Sequence, residues 1–372
     1  VTDRTDSTDS TSSTDSNDTG SNDLDGLDLV RLRSYFADNI PGATGDPLSA
    51  SLISGGKSNL TYSVSDGSST WVLRRPPMGH VLPTAHDMAR EYTVINALGP
   101  TPVPVPIAYV FCDDLDVNGA PFYVMEMVEG RIARTGADLT GFGAVDARRC
   151  SEQLVDVLAA IHHVDWAEVG LSDFGRPDGY LARQVRRWNQ QWEGSKEAGC
   201  PDVPAITELA RRLANSVPES SAPTIVHGDY RLDNTMLAAD DPGTVVAVLD
   251  WEMSTLGDPL ADLGLFLLYW GRDDSSASAV SGAAISTDLG FMSRDEIVER
   301  YEKATKIDLE SLEWYEVFAA YKLAVIVAGI HARFLMGMTR GDGFDGMGEM
   351  VRQLSEAALA RADVSSVKGL RA

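Results

Sequence analysis

The sequence predicts an α+β protein of two lobes, a small β-rich N-terminal lobe and a larger helical C-terminal lobe. Three observations carry this. Between residues 50 and 127, short runs rich in Val, Tyr, Trp and Phe alternate with turns. Beyond Gly130, apolar residues recur at helical spacing, as in Leu154, Val157, Leu158 and Ile161. Among the later helices lies a polar stretch, His227-Gly228-Asp229-Tyr230-Arg231-Leu232-Asp233-Asn234, and then an apolar run at 245–249 that ends in Asp250.

Residues 1–24 are almost wholly Ser, Thr, Asp, Asn and Gly. Such a segment cannot bury enough apolar surface to offset the entropy of ordering, so a disordered acidic tail is expected. Residues 28–36 read as a short amphipathic helix with Leu29, Leu32 and Phe36 on one face. Strands are predicted over 51–53, 60–64, 70–74, 108–111 and 121–127, with Asp66-Gly67 as a tight turn and 116–119 as another. A helix over 88–98 interrupts them and stops at Gly99-Pro100. Residues 128–130 read as a hinge. The N-terminal lobe is thus 25–127 and the helical lobe 128–372.

In the second lobe, helices are predicted over 145–163, 178–192, 205–216, 262–270, 293–305 and 309–335. Ser293 and Glu296 have capping-box spacing. The apolar run at 317–330 is broken by Tyr321 and Lys322, is too short to span a bilayer, and reads as a buried helix. No internal repeat is visible.

The 372 residues are 44% hydrophobic and 23% charged, an ordinary globular balance. The formal net charge is −24; residues 1–28 supply −7 of it and leave −17 for the rest. That acidity argues against nucleic-acid or anionic-membrane partners. Three scattered cysteines, Cys112, Cys150 and Cys200, form no CxxC pair, which fits a reducing cytoplasm. The first residues are polar and acidic, so no signal peptide is expected.

The polar loop and the run behind it carry the chemistry. Asp229 and Asn234 lie five residues apart, and Asp250 follows Asp229 by twenty-one. Phosphoryl transfer needs positioned phosphates, a neutralising metal and an acceptor whose proton has somewhere to go. Asp229 can take that proton. Asn234 and Asp250 offer a neutral and a charged oxygen, which suffices for magnesium. A turn between Leu237 and Val245 would return the second strand beside the first and bring Asn234 and Asp250 to one end of a hairpin.

His227-Gly228-Asp229-x-x-x-x-Asn234, with Asp250 behind it, resembles the catalytic-loop signature of the aminoglycoside phosphotransferase and choline kinase-like family, which has the protein-kinase-like fold. The resemblance covers roughly residues 45–360. It implies that Asp229 is the base, that Asn234 and Asp250 bind Mg2+, and that Arg231 lies near the transferred phosphate. It implies a nucleotide-binding loop at Gly55, Gly56, Lys57, Ser58 and Asn59, with ATP as cofactor and GTP as the alternative. Arg74 stands where the phosphate-gripping residue is usually Lys, a departure shared with the choline kinase-like branch. Its helix partner would be Glu91, and Glu126 and Met127 would present backbone groups to adenine. The Leu-Asp-Trp-Glu-x-Ser-Thr-Leu-Gly-Asp-Pro-Leu-Ala-Asp-Leu run is similar to the kinase-like domain fused to some acyl-CoA dehydrogenases.

The expected acceptor is a small-molecule hydroxyl, with an aminoglycoside-like and a hydroxyacyl-CoA-like molecule both open. The first requires an acidic pocket, the second a basic patch and an apolar groove. A nucleotide-binding regulator without transfer activity is the alternative, and a scaffold the third. Oligomeric state and regiochemistry are left open. His227 reads as a structural imidazole and Asp262 as a tie to the catalytic loop. Glu252 is read equally as a contact to metal water or substrate and as a supporting residue. Trp188, Trp192 and Trp314 read as core.

Overall fold

The structure, a computed structural model, describes residues 26–53, 59–78, 87–270, 285, 287–339 and 343–371. The expected acidic tail, and Gly55, Gly56, Lys57 and Ser58 of the expected nucleotide loop, lie outside the described residues.

Five strands form the N-terminal sheet: β1 (Ser49–Leu52), β2 (Leu60–Ser65), β3 (Thr70–Arg75), β4 (Ala108–Cys112) and β5 (Phe122–Glu126). Their order is β1-β2-β3-β5-β4, with every neighbouring pair antiparallel. Side chains alternate across a strand, so β3 serves two faces at once. Trp71 and Leu73 join Tyr62, Val64, Phe122 and Val124 under α1 (Leu29–Asn39), whose Leu32 and Phe36 are buried there. Val72 joins Tyr123 and Met125 on the other face, against α2 (Met88–Leu98). Arg74 shares the parity of Val72, and this aims a guanidinium at α2. The turn expected at 116–119 is a single helical turn, α3 (Leu115–Asn118), closed by Gly119 at φ +70°.

The helical lobe contains α4 (Ala144–His163), α5 (Tyr180–Glu197), α6 (Pro204–Asn215), α7 (Leu260–Tyr269), α8 (Arg294–Thr305), α9 (Leu312–Leu335) and α10 (Met347–Val364). The capping box at Ser293 and Glu296 forms as its spacing requires. The apolar run at 317–330 extends into a helix of 24 residues, long and apolar enough to cross a bilayer. The expectation of a run too short to span is corrected. Contacts with α5, α6, α7 and α10 surround this helix, so its buried role stands. Helix α10 was not anticipated. Its inward residues Val351, Leu354, Ala358 and Ala362 keep helical spacing, but two of the four are alanines, so the apolar contrast is low.

Two small antiparallel pairs lie against α4: β6 (Thr224–Val226) with β9 (Thr255–Gly257), and β7 (Thr235–Leu237) with β8 (Val245–Val248). The segment between β6 and β7 holds the polar loop.

Candidate active site

The loop is fixed by backbone contacts first. Asp262, fully buried on α7, accepts hydrogen bonds from the backbone N–H of His227 at 2.6 Å and of Gly228 at 2.8 Å. Burial opposes its charge, but His162, His227 and the Gly228 amide outweigh this and hold its pKa below the usual value. His227 then bridges outward. Its Nδ1 accepts from the Asp229 amide at 3.2 Å, so Nε2 carries the proton toward the Leu249 carbonyl at 3.0 Å. The ring packs on Trp251, with centroids 4.6 Å apart. One imidazole thereby links the residue before Asp250 to the backbone of Asp229. The structural readings of His227 and Asp262 agree with these contacts.

The hairpin brings the next groups together. Thr235 pairs with Val248, and the Leu249 amide donates to the Asn234 carbonyl at 2.8 Å. Asn234 and Asp250 therefore stand at the same end. Asn234 Nδ2 donates to the Asp229 carbonyl at 2.8 Å and to Asp229 Oδ2 at 2.9 Å. Both amide hydrogens are used, leaving the Asn234 side-chain oxygen as an acceptor or ligand. Asp250 has φ +63°, a left-handed conformation uncommon outside glycine and concentrated at functional positions.

Arg74 ties this end of the hairpin to the sheet. Its Nη1 lies 3.3 Å from Glu91 Oε2 and its Nη2 3.4 Å from Asp250 Oδ1. Burial works against the guanidinium charge, but Tyr123, Glu91, Asp250 and Glu252 raise its pKa. Glu91 also accepts from Tyr123 Oη at 3.0 Å and from Asn59 Nδ2 at 2.7 Å. Burial pushes the Glu91 carboxyl up to about 7, against the pull of Arg74 and the Tyr123 hydroxyl. Asn59 Nδ2 reaches Glu252 at 3.5 Å as well. Glu252 thus faces the Arg74 cluster. Helix α2 is held to the same segment by Arg90, whose Nη2 donates to the Ser254 carbonyl at 2.9 Å.

Arg231 packs beside Asp229. Its Nε lies 3.1 Å from Asp233 Oδ1 and 3.4 Å from Asp229 Oδ2, and its guanidinium carbon sits 5.1 Å from the centre of the Tyr269 ring. Burial pushes Asp233 up to about 6, with Arg231 pulling it down and Asp229 pushing it up.

Asp229, Asn234, Asp250, Arg74, Glu91 and Arg231 are thus brought together. The Glu126 side chain is engaged elsewhere, accepting from the Ile107 amide at 3.1 Å, while its own amide donates to the Ile107 carbonyl at 2.8 Å. Met127 is partly buried against the main core. Lys322 was read only as a break in an apolar run, yet its Nζ donates to the Gly228 carbonyl at 2.7 Å. Tyr123 and Arg90 were not singled out. Their roles rest on contacts between segments distant in sequence.

Asn234 and Asp250 present hard oxygen donors on one side of the loop. Among the described residues no group of three or more His, Cys, Asp or Glu forms a metal cage. Magnesium fits this sparse donor set, since it keeps waters and phosphate oxygens as most of its ligands.

A small antiparallel sheet and a helical lobe, with a polar loop and the β7–β8 hairpin joined to the sheet through Arg74, define a kinase-like phosphotransferase fold. Residues 49–315 match the phosphotransferase enzyme family, and the chain belongs to that family. It is 34% identical over 343 residues to acyl-CoA dehydrogenase family member 11 of Gallus gallus, covering 89% of this chain and 43% of that protein. The Homo sapiens counterpart is 34% identical over 311 residues, covering 82% and 39%. The chain therefore spans less than half the length of these curated relatives. A crystal structure from Ralstonia eutropha JMP134, of a protein classed with the aminoglycoside phosphotransferases, superposes with a TM-score of 0.78 at 31% identity, covering 90% of this chain and 98% of that one. Choline kinase from Cryptosporidium parvum shares the fold at a TM-score of 0.64 and 12% identity, covering 92% and 98%.

Proposed function

We propose that this protein is an ATP- and magnesium-dependent phosphotransferase that moves the γ-phosphoryl group to a hydroxyl of a small molecule. The observation that carries the reading is the convergence of Asp229, Asn234 and Asp250 at one end of the β7–β8 hairpin, with Arg74 joining it to the sheet.

The chemistry divides among these groups. Asn234 occupies Asp229 Oδ2. Among the described residues, Asp229 Oδ1 has no hydrogen-bond partner, which leaves it to accept the acceptor's hydroxyl proton. As the acceptor's hydroxyl oxygen bonds to the γ-phosphorus, the bond from phosphorus to the β–γ bridging oxygen breaks. ADP departs and the proton ends on Asp229. Asn234 and Asp250 would hold magnesium, which supplies neutralisation of phosphate charge. Arg74 would grip the nucleotide phosphates, as its position in β3 allows.

Of the two acceptor classes, the side chains near Asp229 favour the hydroxyacyl-CoA-like one. The Trp188 ring has Lys322 Nζ at 5.6 Å and the Arg187 guanidinium at 5.7 Å. Among the described residues Arg187 makes no ion pair. An exposed arginine here suits a phosphate-bearing acceptor better than a polyamine. The names of the curated relatives point the same way. The three cysteines are free and buried, in keeping with action in the reducing cytoplasm. The overall acidity continues to argue against nucleic acid or a membrane surface as partner.

The test is ATP consumption across hydroxyacyl-CoAs, aminoglycosides, choline-like alcohols and sugars, with GTP run in parallel. Turnover with a hydroxyacyl-CoA that Asp229→Asn abolishes is the expected result. Absence of both turnover and magnesium-dependent stabilisation by ATP would defeat the reading.

A further inference from the structure

Helix α9 is the apolar centre of the helical lobe, and Tyr321, Leu323 and Ala324 around Lys322 are buried. A lysine there is costly, because an ammonium taken from water loses hydration that few contacts replace. Burial lowers the Lys322 pKa, while Asp229 and Asp262 pull it back up and Arg187 pushes it down. What the side chain gains is specific. Its Nζ lies 2.7 Å from the carbonyl oxygen of Gly228 and 5.6 Å from the Trp188 ring centre.

That carbonyl belongs to the peptide group that leads into Asp229. The N–H of the same peptide group donates to His227 Nδ1 at 3.2 Å. One planar unit is therefore held at both ends, by an imidazole on one side and an ammonium on the other. Gly228 can supply this orientation because it sits at φ +85°, and a Cβ there would lie 2.7 Å from the Met253 carbonyl oxygen. Asp262 and His227 hold the loop from α7 and from within the loop itself. Lys322 holds it from α9, ninety-four residues further along the chain.

We propose that Lys322 is a positioning residue for phosphoryl transfer: its ammonium clamps the Gly228–Asp229 peptide group and so aims the Asp229 carboxylate at the acceptor oxygen. The proposal rests on the phosphotransferase reading above. A clamp of this kind acts on the reacting geometry and not on nucleotide affinity, because Lys322 lies in the helical lobe whereas Arg74, the proposed phosphate grip, lies in the sheet.

The test compares wild type with Lys322→Met, Lys322→Arg and Asp229→Asn, using MgATP with water as the acceptor. Hydrogen exchange at the Asp229 amide is measured in parallel. Lys322→Met should lower kcat by about 10- to 100-fold, the scale of a misplaced reacting group, with the KM for ATP within about twofold. Lys322→Arg should restore a large part of kcat. The Asp229 amide should exchange at least about tenfold faster in Lys322→Met than in wild type, while amides of the β2–β3 pair keep their protection. Turnover that Asp229→Asn abolishes but Lys322→Met leaves within twofold overturns the role of Lys322 alone. Turnover that survives Asp229→Asn overturns the phosphotransferase reading instead. If Lys322→Met does not fold, Lys322→Gln takes its place: kcat lowered with KM unchanged and exchange raised supports the clamp, and wild-type values for all three refute it.

Discussion

Arg74 and Asp250 meet across the two lobes, Nη2 to Oδ1 at 3.4 Å, and they are 176 residues apart in sequence. The pairing places the proposed phosphate grip against the proposed metal ligand. A magnesium-nucleotide complex entering here would give each a new partner, a phosphate for the arginine and a cation for the carboxylate. Asp250→Asn keeps the shape and removes the charge. Any species bound only by the native state stabilises by about 2.7 kcal/mol when present at a hundred times its Kd. MgATP should therefore raise the melting temperature of wild type, and Asp250→Asn should lose most of that rise. Equal MgATP-dependent shifts in the two proteins would remove Asp250 from the metal site.

Arg74→Lys tests the geometry of the grip. The guanidinium reaches Glu91 and Asp250 through different nitrogens, 3.3 and 3.4 Å away. A single ammonium cannot present that fork. The KM for ATP should rise by roughly tenfold, on the scale of about 1.4 kcal/mol for one weakened charged contact. Steady-state kinetics with ATP varied provide the measurement, and an unchanged KM would show that the fork is dispensable.

Much of this site was legible because its parts are local. Asp229 and Asn234 sit in one short loop, and the 245–249 run announces the strand that returns Asp250 beside them. Arg74 and Glu91 were legible only through the resemblance to the kinase-like family, which implies a basic residue on this strand and an acidic partner on the following helix. Other features depend on packing that no spacing encodes. The contact of Lys322 with Gly228 closes over ninety-four residues, and only the break it makes in an apolar run hinted at it. The Glu126 carboxylate accepts from the Ile107 amide, a side-chain contact separate from the backbone groups expected to face adenine. Asn59, expected in the nucleotide-binding loop, donates its amide to Glu91 at 2.7 Å, a contact between segments thirty-two residues apart.

Gly228→Ala should be among the most damaging single-atom changes in the loop. The position requires φ +85°, and the added Cβ would meet Met253 O at 2.7 Å and Met253 Cβ at 2.9 Å. The left-handed backbone costs an alanine roughly 1–2 kcal/mol before any clash is counted. Chemical denaturation should show a loss of at least about 2 kcal/mol. A midpoint unchanged from wild type would mean that the loop backbone is not held as described.

Asp262→Asn combines stability and pH. The carboxylate accepts from two backbone N–H groups of the loop and lies 3.4 Å from His162 Nε2. An asparagine supplies one oxygen for the two amides and turns an NH2 group toward a donor. Removing one partner of such a buried charged network costs about 3–5 kcal/mol, and that loss is expected near neutral pH. The pH dependence has a definite sign. The Asp262 pKa is lowered in the folded protein, so the ionised native form is favoured. Its contribution is complete above the unfolded carboxyl value of about 3.9 and disappears as pH falls through the depressed folded value. The stability gap between wild type and Asp262→Asn should therefore be widest near pH 7 and narrow in acid below about pH 4. Urea titrations at a series of pH values measure it, and a gap that widens toward acid would contradict the assignment of Asp262 as the ionised tether of the loop.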